Sequence, residues 1–325
     1  MDANENASPK TLLQAIRYFA DADVALQFMV MLRWPNGVTC PHCAGVEHSF
    51  LSTRRIWKCK ACRKQFSVKV GTVFEDSPIG LDKWLPCIWM LVNCKNGISS
   101  YEVARDIGVT QKTAWFMLHR IRLAMATKSF DKFGGPTEID ETFIGGAARY
   151  MHKDRKERML KNKGGGHVGK AAVLGLLERH GEGKKCSTVR ASVVPDVRRG
   201  TLTKKIVEQV VPGTQVYTDA LNSYFGLQGQ YVHSVIDHSE KYVEGQIHTN
   251  GLENFWSLLK RTIKGTYVSV QPFHLAKYLD EQVFRFNSRK DDDSWRFIAV
   301  AKSIVGKRLT YRELTGANLP ETCPA

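Results

Sequence analysis

The chain has 325 residues, and its 47 Lys and Arg residues outnumber its 32 Asp and Glu residues, which gives a formal net charge of +15. This length predicts about two domains, and a hydrophobic content of 43% excludes a wholly disordered chain. The positive charge favours a polyanionic partner, most often nucleic acid, with a basic surface kept only for solubility as the alternative.

The sequence shows no membrane or secretion signal. No apolar run approaches the ~20 residues that a membrane helix needs. The N-terminus has no basic stretch followed by an apolar one, as a secretory signal would. We therefore expect no membrane partner and a cytoplasmic, nucleoid-associated protein, in a compartment where thiols stay reduced.

A cluster of cysteines follows an N-terminal helical segment predicted over residues 1–35. The cysteines form two C-x2-C pairs separated by fifteen residues: Cys40, Cys43, Cys59 and Cys62. This spacing is typical of a site for one tetrahedral Zn²⁺ ion, with a redox dithiol as the less favoured alternative. Residues 53–70 add seven Lys and Arg and no acidic residue, which suits contact with phosphate. We predict a zinc ribbon over residues 36–75.

Residues 80–125 are predicted to form a helix-turn-helix domain. The pattern indicates one helix over 101–107, a turn at Gly108 and a second helix over 111–122. In such a motif the start of the second helix reads base edges, and an ordinary pair of packed helices is the alternative. The predicted DNA contacts here are Gln111, Lys112 and Thr113.

Residues 136–290 predict an α/β domain in which three strands are followed by helix, strand, helix, strand and helix. The strands are expected over 137–144, 171–177, 188–194, 216–218 and 231–236, and the helices over 202–211, 220–225, 251–263 and 272–288. A basic insertion over 149–170 carries eight Lys and Arg against two acidic residues. We expect phosphate contacts there from Arg155, Lys156 and Arg158. A C-terminal helical tail over 291–325, with a helix at 294–305, completes the chain.

Three acidic residues lie where these strands and helices converge. Asp140 is in the middle of a predicted strand, Asp219 ends another strand, and Glu253 begins a helix. Phosphodiester chemistry commonly uses two divalent cations ~3.5–4 Å apart, and carboxylate oxygens are suitable ligands for Mg²⁺. The three residues therefore predict a site for two Mg²⁺ ions, for which Mn²⁺ is expected to substitute.

Each acidic residue also has a structural interpretation. Asp140 fits an exposed strand position, and Asp219 fits a cap for the helix that follows it. Asn250-x-x-Glu253 resembles a capping box, which would make Glu253 structural. For each residue alone the structural interpretation is at least as good, and it is the convergence of all three that favours a site.

The helix of Glu253 also presents basic residues. At 100° per residue, Lys260 lies within ~20° of Glu253 and Lys264 ~20° to the other side. A separate apolar stripe is expected to face the core. We predict that Lys260 and Lys264 contact the DNA backbone, with a solvated Glu/Lys face as the alternative.

The chain resembles bacterial insertion-sequence transposases of the DDE class that carry an N-terminal zinc ribbon. The resemblance runs from about residue 20 to 290 and rests on Arg33-Trp34-Pro35, the two cysteine pairs, Gln65-Phe66-Ser67, Gly71-Thr72, Thr113-Ala114-Trp115, Ile139 to Gly146, Thr218-Asp219, His248-Thr249-Asn250, Glu253 to Trp256, Lys260-Arg261 and Phe284 to Asn287. It implies a ribonuclease H-like catalytic core with Asp140, Asp219 and Glu253 as the acidic triad and Lys260 as an accompanying basic residue. Some relatives carry Asn at the third acidic position, where this chain has Glu253.

These observations together predict a DNA transposase. The ribbon and the helix-turn-helix would bind the terminal inverted repeats, and the core would cut and rejoin double-stranded DNA without a covalent protein–DNA intermediate. Because two DNA ends must be joined, we expect at least a dimer. A non-catalytic zinc-ribbon regulator and a structure-selective nuclease on the same core remain as alternatives.

Overall fold

The computed structural model describes residues 8–126, 131–146, 169–181, 183, 185–219, 222–224, 226–236 and 248–316. The chain divides into two compact units. The N-terminal unit runs to Ala126 and also takes up the segment that begins at Asp291, and the central unit extends from Thr127 to Lys290. Within the described residues, no helix combines the length and the apolar character needed to cross a membrane.

Two helices and a small sheet begin the N-terminal unit. Helices α1 (Leu12–Phe19) and α2 (Ala22–Arg33) start at Thr11 and Asp21, whose side-chain oxygens accept backbone N–H bonds of the first turn. An antiparallel sheet follows, made of β1 (His48–Leu51), β2 (Ile56–Cys59) and β3 (Gln65–Phe66). These strands are too short to enclose a large apolar core, so the ribbon depends on other interactions for its stability.

Three helices follow the ribbon: α3 (Leu81–Asn93), α4 (Ser100–Ile107) and α5 (Gln111–Met125). Ser99 begins α4 in a capping box with Glu102, and Gly108 ends it with a left-handed φ of 62°. Thr110 caps α5 by accepting the N–H of Thr113. The two predicted helices are confirmed, and the second continues past its expected end.

A five-stranded mixed sheet forms the centre of the central unit. Its strands are β4 (Thr137–Ile144), β5 (Ala171–Glu178), β6 (Thr188–Val194), β7 (Gln215–Asp219) and β8 (Val232–Ile236). The strand order is β6-β5-β4-β7-β8. Strands β4, β5 and β6 are antiparallel neighbours, whereas β7 runs parallel to β4 and β8 parallel to β7. All five strands were expected from the sequence.

The helices of this unit lie between and after the parallel strands. Helix α6 (Arg199–Gln209) precedes β7, and α7 (Asn250–Thr262), a π-helical turn (Ile263–Tyr267) and α8 (Pro272–Asn287) follow β8. The helix predicted over 220–225 is wrong in its described part, which forms a short 3-10 turn at Asn222–Tyr224. The order of the remaining elements is as predicted.

Each face of the sheet is covered by helices. One core joins α6 with β4 through residues such as Ile139, and the other joins α7 and α8 with β5 through residues such as Val173. Because side chains alternate along a strand, neighbouring residues of β4 face different helices. This alternation therefore determines which acidic side chains of β4 point toward α7.

The described part of the C-terminal segment belongs to the N-terminal unit. It contains α9 (Asp293–Lys302) and α10 (Tyr311–Leu314). Phe297 of α9 is fully buried, with its ring 5.7 Å from that of Phe28 and 5.2 Å from that of Trp89. The segment interpreted as a separate tail therefore contributes to a core, because its apolar side chains pack against α2 and α3.

The basic insertion predicted over 149–170 lies outside the described residues, apart from Gly169 and Lys170. The three phosphate contacts expected in it, Arg155, Lys156 and Arg158, also lie outside them and stay predictions.

Candidate active site

Asp140 and Asp219 lie level with each other on neighbouring strands. Strands β4 and β7 are parallel, and Glu138 lies opposite Tyr217. Continued by two residues along both strands, this register brings Asp140 opposite Asp219, the last residue of β7. Because side chains alternate along both strands, the two half-buried carboxylates point to the same face of the sheet.

The helix that carries Glu253 is bonded directly to Asp140. Trp256, one turn after Glu253, donates from Nε1 to Oδ2 of Asp140 at 2.9 Å. Gly175 pairs with Asp140 on β5, and a Cβ atom at Gly175 would lie only 2.5 Å from Cζ2 of Trp256. The absence of a side chain at Gly175 thus lets the indole lie against the sheet. The start of α7 is thereby held beside the two aspartates.

The carboxylates of this region repel one another. Burial, the largest effect, raises the pKa of Asp140 to about 6, and the negative charges of Asp219 and Glu253 act in the same direction. Burial also raises the pKa of Glu141 to about 7, with further repulsion from Asp219 and Asp140 and an opposing hydrogen bond from Tyr224. A divalent cation would offset this repulsion, so the electrostatics fit a cation site.

The raised pKa values predict that this region loses stability as pH rises. A carboxyl whose pKa is higher in the folded than in the unfolded protein stabilises the fold when protonated, and this contribution disappears as pH rises through the folded value. For Asp140 and Glu141 the window runs from about pH 4 to pH 7. Asp140→Asn, which imitates the neutral acid, should therefore stabilise the protein at pH 7.5 by about 2–3 kcal/mol and have no stabilising effect below pH 4.

This difference is measured by thermal unfolding of both proteins in buffer without divalent cations. Asp196→Asn is the matched control, because the hydroxyl of Thr201 and the N–H of Arg198 lower the pKa of this half-buried aspartate. The control should destabilise at pH 7.5 instead. A stability difference for Asp140→Asn that is the same at both pH values would contradict the prediction.

Glu253 is exposed on the first turn of α7. The capping box proposed for Asn250 and Glu253 is wrong, because Asn250 is already helical and the cap residue, Thr249, makes no side-chain cap bond. The effect of Glu253 on the pKa of Asp140 shows that it lies within electrostatic reach of that carboxylate. Within the described residues, however, the carboxylates do not form a group of ligand atoms as compact as that of the cysteines.

Lys260 and Lys264 are both exposed and follow Glu253 along the chain. Lys260 lies on α7, where the α-helical spacing places it within ~20° of Glu253. Lys264 lies in the π-helical turn, whose i→i+5 bonds rotate each residue by less than in an α-helix. The direction calculated for Lys264 from α-helical spacing is therefore shifted by the two π-helical residues Ile263 and Lys264, whereas that of Lys260 is unchanged.

The structure brings the four cysteines together in the ribbon. The Sγ atoms of Cys40 and Cys62 are 3.7 Å apart, those of Cys43 and Cys59 are 3.6 Å apart, and all four lie within 4.8 Å of one another. Four sulfurs at about 2.3 Å from a tetrahedral zinc ion would be separated by about 3.8 Å. Backbone N–H groups of Cys62 and Ala61 lower the pKa of Cys59 to about 7, whereas, against the backbone N–H of Gly45, hydrogen bonds with the neighbouring thiols raise the pKa of Cys43 to about 11. The cluster supports a structural Zn²⁺ site.

Gln111, Lys112 and Thr113 form the first turn of α5, as predicted. Gln111 donates from Nε2 to Oγ of Ser100 at 2.8 Å. The ammonium of the exposed Lys112 lies 4.8 Å from the ring centre of Tyr311. The hydroxyls of Thr113 and Thr110 lie 2.8 Å apart. All three side chains thus also have partners within the N-terminal unit, and their contact with DNA stays a prediction.

Sequence reasoning assigned no role to four residues around the acidic trio, although two of them lie in the segments that carry the resemblance: Glu138, Glu141, Gly175 and Trp256. Glu138 had a usable signal, because it precedes Asp140 by two residues and so shares its face of the strand. Trp256 follows Glu253 by one helical turn, which is also visible in the sequence. Gly175 had no such signal, since its role depends on its pairing with Asp140 across the sheet.

Comparison with known proteins gives two family matches on this chain. The ISXO2-like transposase domain matches residues 132–287, and the transposase zinc-ribbon domain matches residues 20–65. The first match spans the five-stranded sheet with α6, α7 and α8, and the second spans α2 and the four cysteines.

Two relatives support the same assignment. The chain is 26% identical over 287 residues, 84% of this chain and 95% of the relative, to an "Uncharacterized protein in transposable element ISH50" of Halobacterium salinarum. It is 37% identical over 105 residues, 32% of this chain and 84% of the relative, to an "Uncharacterized transposase-like protein" of Haemophilus influenzae. With its zinc-ribbon cysteines and its mixed sheet in the two matched regions, the chain belongs to the transposase family that carries an ISXO2-like transposase domain.

Proposed function

We propose that this protein is a DDE-type transposase that cuts the ends of its own insertion sequence and joins them to target DNA. The observation that carries the proposal is the register of β4 and β7, which sets Asp140 level with Asp219, together with the bond from Trp256 that ties the helix of Glu253 to Asp140. Two strands and one helix thus direct three acidic residues toward one region of the sheet.

The topology of the central unit supports a ribonuclease H-like core. Three antiparallel strands continue into two parallel ones in the order β6-β5-β4-β7-β8, and helices cover both faces. In this arrangement the first acidic residue lies on the central strand, the second on the adjacent parallel strand, and the third on a helix after the sheet.

The residues fit a pair of Mg²⁺ ions in their chemistry. Carboxylate oxygens are the preferred ligands of Mg²⁺, and the repulsion among Asp140, Asp219 and Glu253 is the kind that a cation relieves. Two bound Mg²⁺ ions would activate the attacking oxygen and stabilise the leaving one in an in-line displacement. The protein itself holds the carboxylates in register, and Trp256 orients Asp140 through its N–H.

The basic side chains supply contacts with DNA in this proposal. Lys260 would hold the backbone beside the acidic residues, and Lys264 would extend that contact. In the N-terminal unit, the ribbon and the start of α5 would bind the terminal inverted repeats. The exposed ribbon residues that favour phosphate are Arg54, Lys58, Lys60, Arg63 and Lys64. Because two ends must be joined, at least two copies of the chain would act together.

Glu253→Gln tests the proposal, because glutamine keeps the shape of the side chain but loses its charge. The variant should bind labelled transposon ends normally and cleave them at least about 10²-fold more slowly in Mg²⁺, as expected when one electrostatic stabiliser is removed. Glu208→Gln is the matched control: it also removes an exposed helical glutamate, here one paired with Lys205 on α6. The control should cleave like the wild type.

The same assay separates the alternatives. A regulator would bind ends without any metal-dependent cleavage. A structure-selective nuclease would cut branched DNA regardless of the end sequence and would not join a 3′-OH to target DNA. Cleavage by Glu253→Gln within a few-fold of the wild type would remove Glu253 from the site.

A further inference from the structure

A buried carboxylate two residues before Asp140 has no place in the reaction described so far. The side chain of Glu138 is 1% exposed. It lies on the same face of β4 as Asp140, because residues two apart on a strand share a face. Buried charges are costly unless they are paired, so this one needs partners.

One partner is the helix that carries Glu253. Oε2 of Glu138 accepts the backbone N–H of Leu252 at 3.0 Å. Thr249 provides no side-chain cap for this helix, so Glu138 satisfies a first-turn N–H from across the sheet. Its negative charge at the helix N-terminus is also favourable for the helix dipole. The contact is close, since a Cβ atom at Gly251 would lie 2.8 Å from Oε2 of Glu138.

The other partner is Arg179, at the end of β5. Its Nε donates to Oε1 of Glu138 at 2.8 Å, and its guanidinium lies 4.2 Å from the ring centre of Tyr217 on β7. The backbone N–H of Arg179 donates to the carbonyl of Pro136 at 2.9 Å. The guanidinium of Arg179, which directly follows β5, therefore contacts side chains of β4 and β7.

Arg179 also reaches the residue that precedes the cap of α7. Its second terminal nitrogen, Nη2, donates to the carbonyl of His248 at 2.6 Å and lies 3.0 Å from Nδ1 of that residue. The start of α7 is thus bonded at two points: Glu138 accepts the N–H of Leu252, and Arg179 donates to the carbonyl of His248. Glu253 is the next residue after Leu252.

We propose that Glu138, Arg179 and His248 form a clamp that positions Glu253 relative to Asp140 and Asp219. The clamp residues are positioning residues, since they act through the backbone of α7 and not on DNA. This inference rests on the proposed function for its catalytic consequence. Its structural content, that the clamp holds the first turn of α7 on the sheet, is testable without catalysis.

The test compares Glu138→Gln with Glu178→Gln in the full-length protein. Glu178 is also a buried glutamate, but its carboxylate accepts the N–H bonds of Gly134 and Gly135, at 3.1 and 2.9 Å, in the segment before β4. In Glu138→Gln, amide hydrogen exchange of residues 250–256 should accelerate about tenfold, as expected for a lost charge-assisted bond. In Glu178→Gln the exchange of this segment should match the wild type.

The catalytic readout is the Mg²⁺ dependence of end cleavage. Residues that orient a metal ligand typically change metal affinity or activity about 10–100-fold when replaced. We expect Glu138→Gln to bind ends normally and to need a higher Mg²⁺ concentration for half-maximal cleavage. Its cleavage rate should be about 10–100-fold lower than that of the wild type. Arg179→Lys keeps the charge but has one nitrogen in place of the two that bond Glu138 and His248. This variant is the test if Glu138→Gln does not fold.

The outcomes separate the clamp from the proposed function. Wild-type exchange over residues 250–256 in both clamp variants would overturn the clamp. Equal acceleration in the Glu178 control would also overturn it, because the effect would then be general destabilisation. If the wild type itself fails to cleave transposon ends, the proposed function fails, and the exchange measurement still decides whether the clamp exists.

Discussion

Asp140→Asn is expected to abolish Mg²⁺-dependent cleavage of transposon ends without impairing the fold, and Asp219→Asn is expected to do the same. Asparagine has the shape of aspartate, and its one carbonyl oxygen can keep either the bond from Trp256 or that from the N–H of Glu141, which Asp140 accepts at Oδ2 and Oδ1. It lacks the negative charge that offsets a divalent cation. The cleavage rate should fall by at least about 10²–10³-fold, the range found when one preorganised electrostatic contact is lost.

The measurement is a time course of cleavage of a labelled end, with end binding and thermal unfolding as controls. The raised pKa of Asp140 makes the fold control informative, because at neutral pH the Asn variant should melt above the wild type. A gain of stability together with a loss of cleavage would show that the charge of Asp140 destabilises the fold and serves the reaction. An Asn variant that cleaves within a few-fold of the wild type would remove Asp140 from the site.

Many strands and helices of the central unit could be predicted, because the order of apolar and polar residues within each of them is regular. The strand from Thr137 to Ile144 and the strand that ends at Asp219 are found as expected. These two strands carry two acids of the site, so recognising them was enough to place both residues on the sheet. The turn at Asn222–Tyr224 was misjudged, because a few polar residues between two strands fit a short helix and a 3-10 turn equally well.

The parts that escaped prediction depend on contacts between distant residues. The bond from Trp256 to Asp140 requires Gly175 to lie opposite Asp140, and no local pattern reveals that register. The interpretation of Asn250 and Glu253 as a capping box failed for the same reason. The first-turn N–H of Leu252 is instead bonded by Glu138, 114 positions away in the chain.

The location of the C-terminal segment also depends on contacts between residues that are far apart in the sequence. Its helix at Asp293–Lys302 was expected, but its location was not. Phe297 packs with rings of α2 and α3, which lie more than 200 residues earlier in the chain. Amphipathic periodicity identifies the buried face of such a helix but not the surface that covers it.

Zinc removal is expected to unfold the ribbon while the central unit stays folded. The ribbon has three short strands around a small aromatic group, in which Trp57 stacks on Phe66 and lies edge-on to Trp34. Four thiolates on a structural zinc ion supply about 10–16 kcal/mol of apparent binding energy in small zinc domains, and this core alone cannot replace that amount. The central unit has two cores of its own and contains none of the four ligands.

Cys59→Ser is the sharpest version of this experiment, because Cys59 ends β2 and is fully buried. Metal analysis should find one zinc ion per wild-type chain and a loss of most of it in the variant. Amide exchange over residues 48–66 should become fast, end binding should weaken, and exchange in the central sheet should not change. Cys186→Ser is the matched control, since Cys186 lies in the central unit with its Sγ 3.4 Å from the carbonyl of Asn287 and should leave the zinc content intact. A purified wild-type protein that contains no zinc would show that the four cysteines serve another purpose.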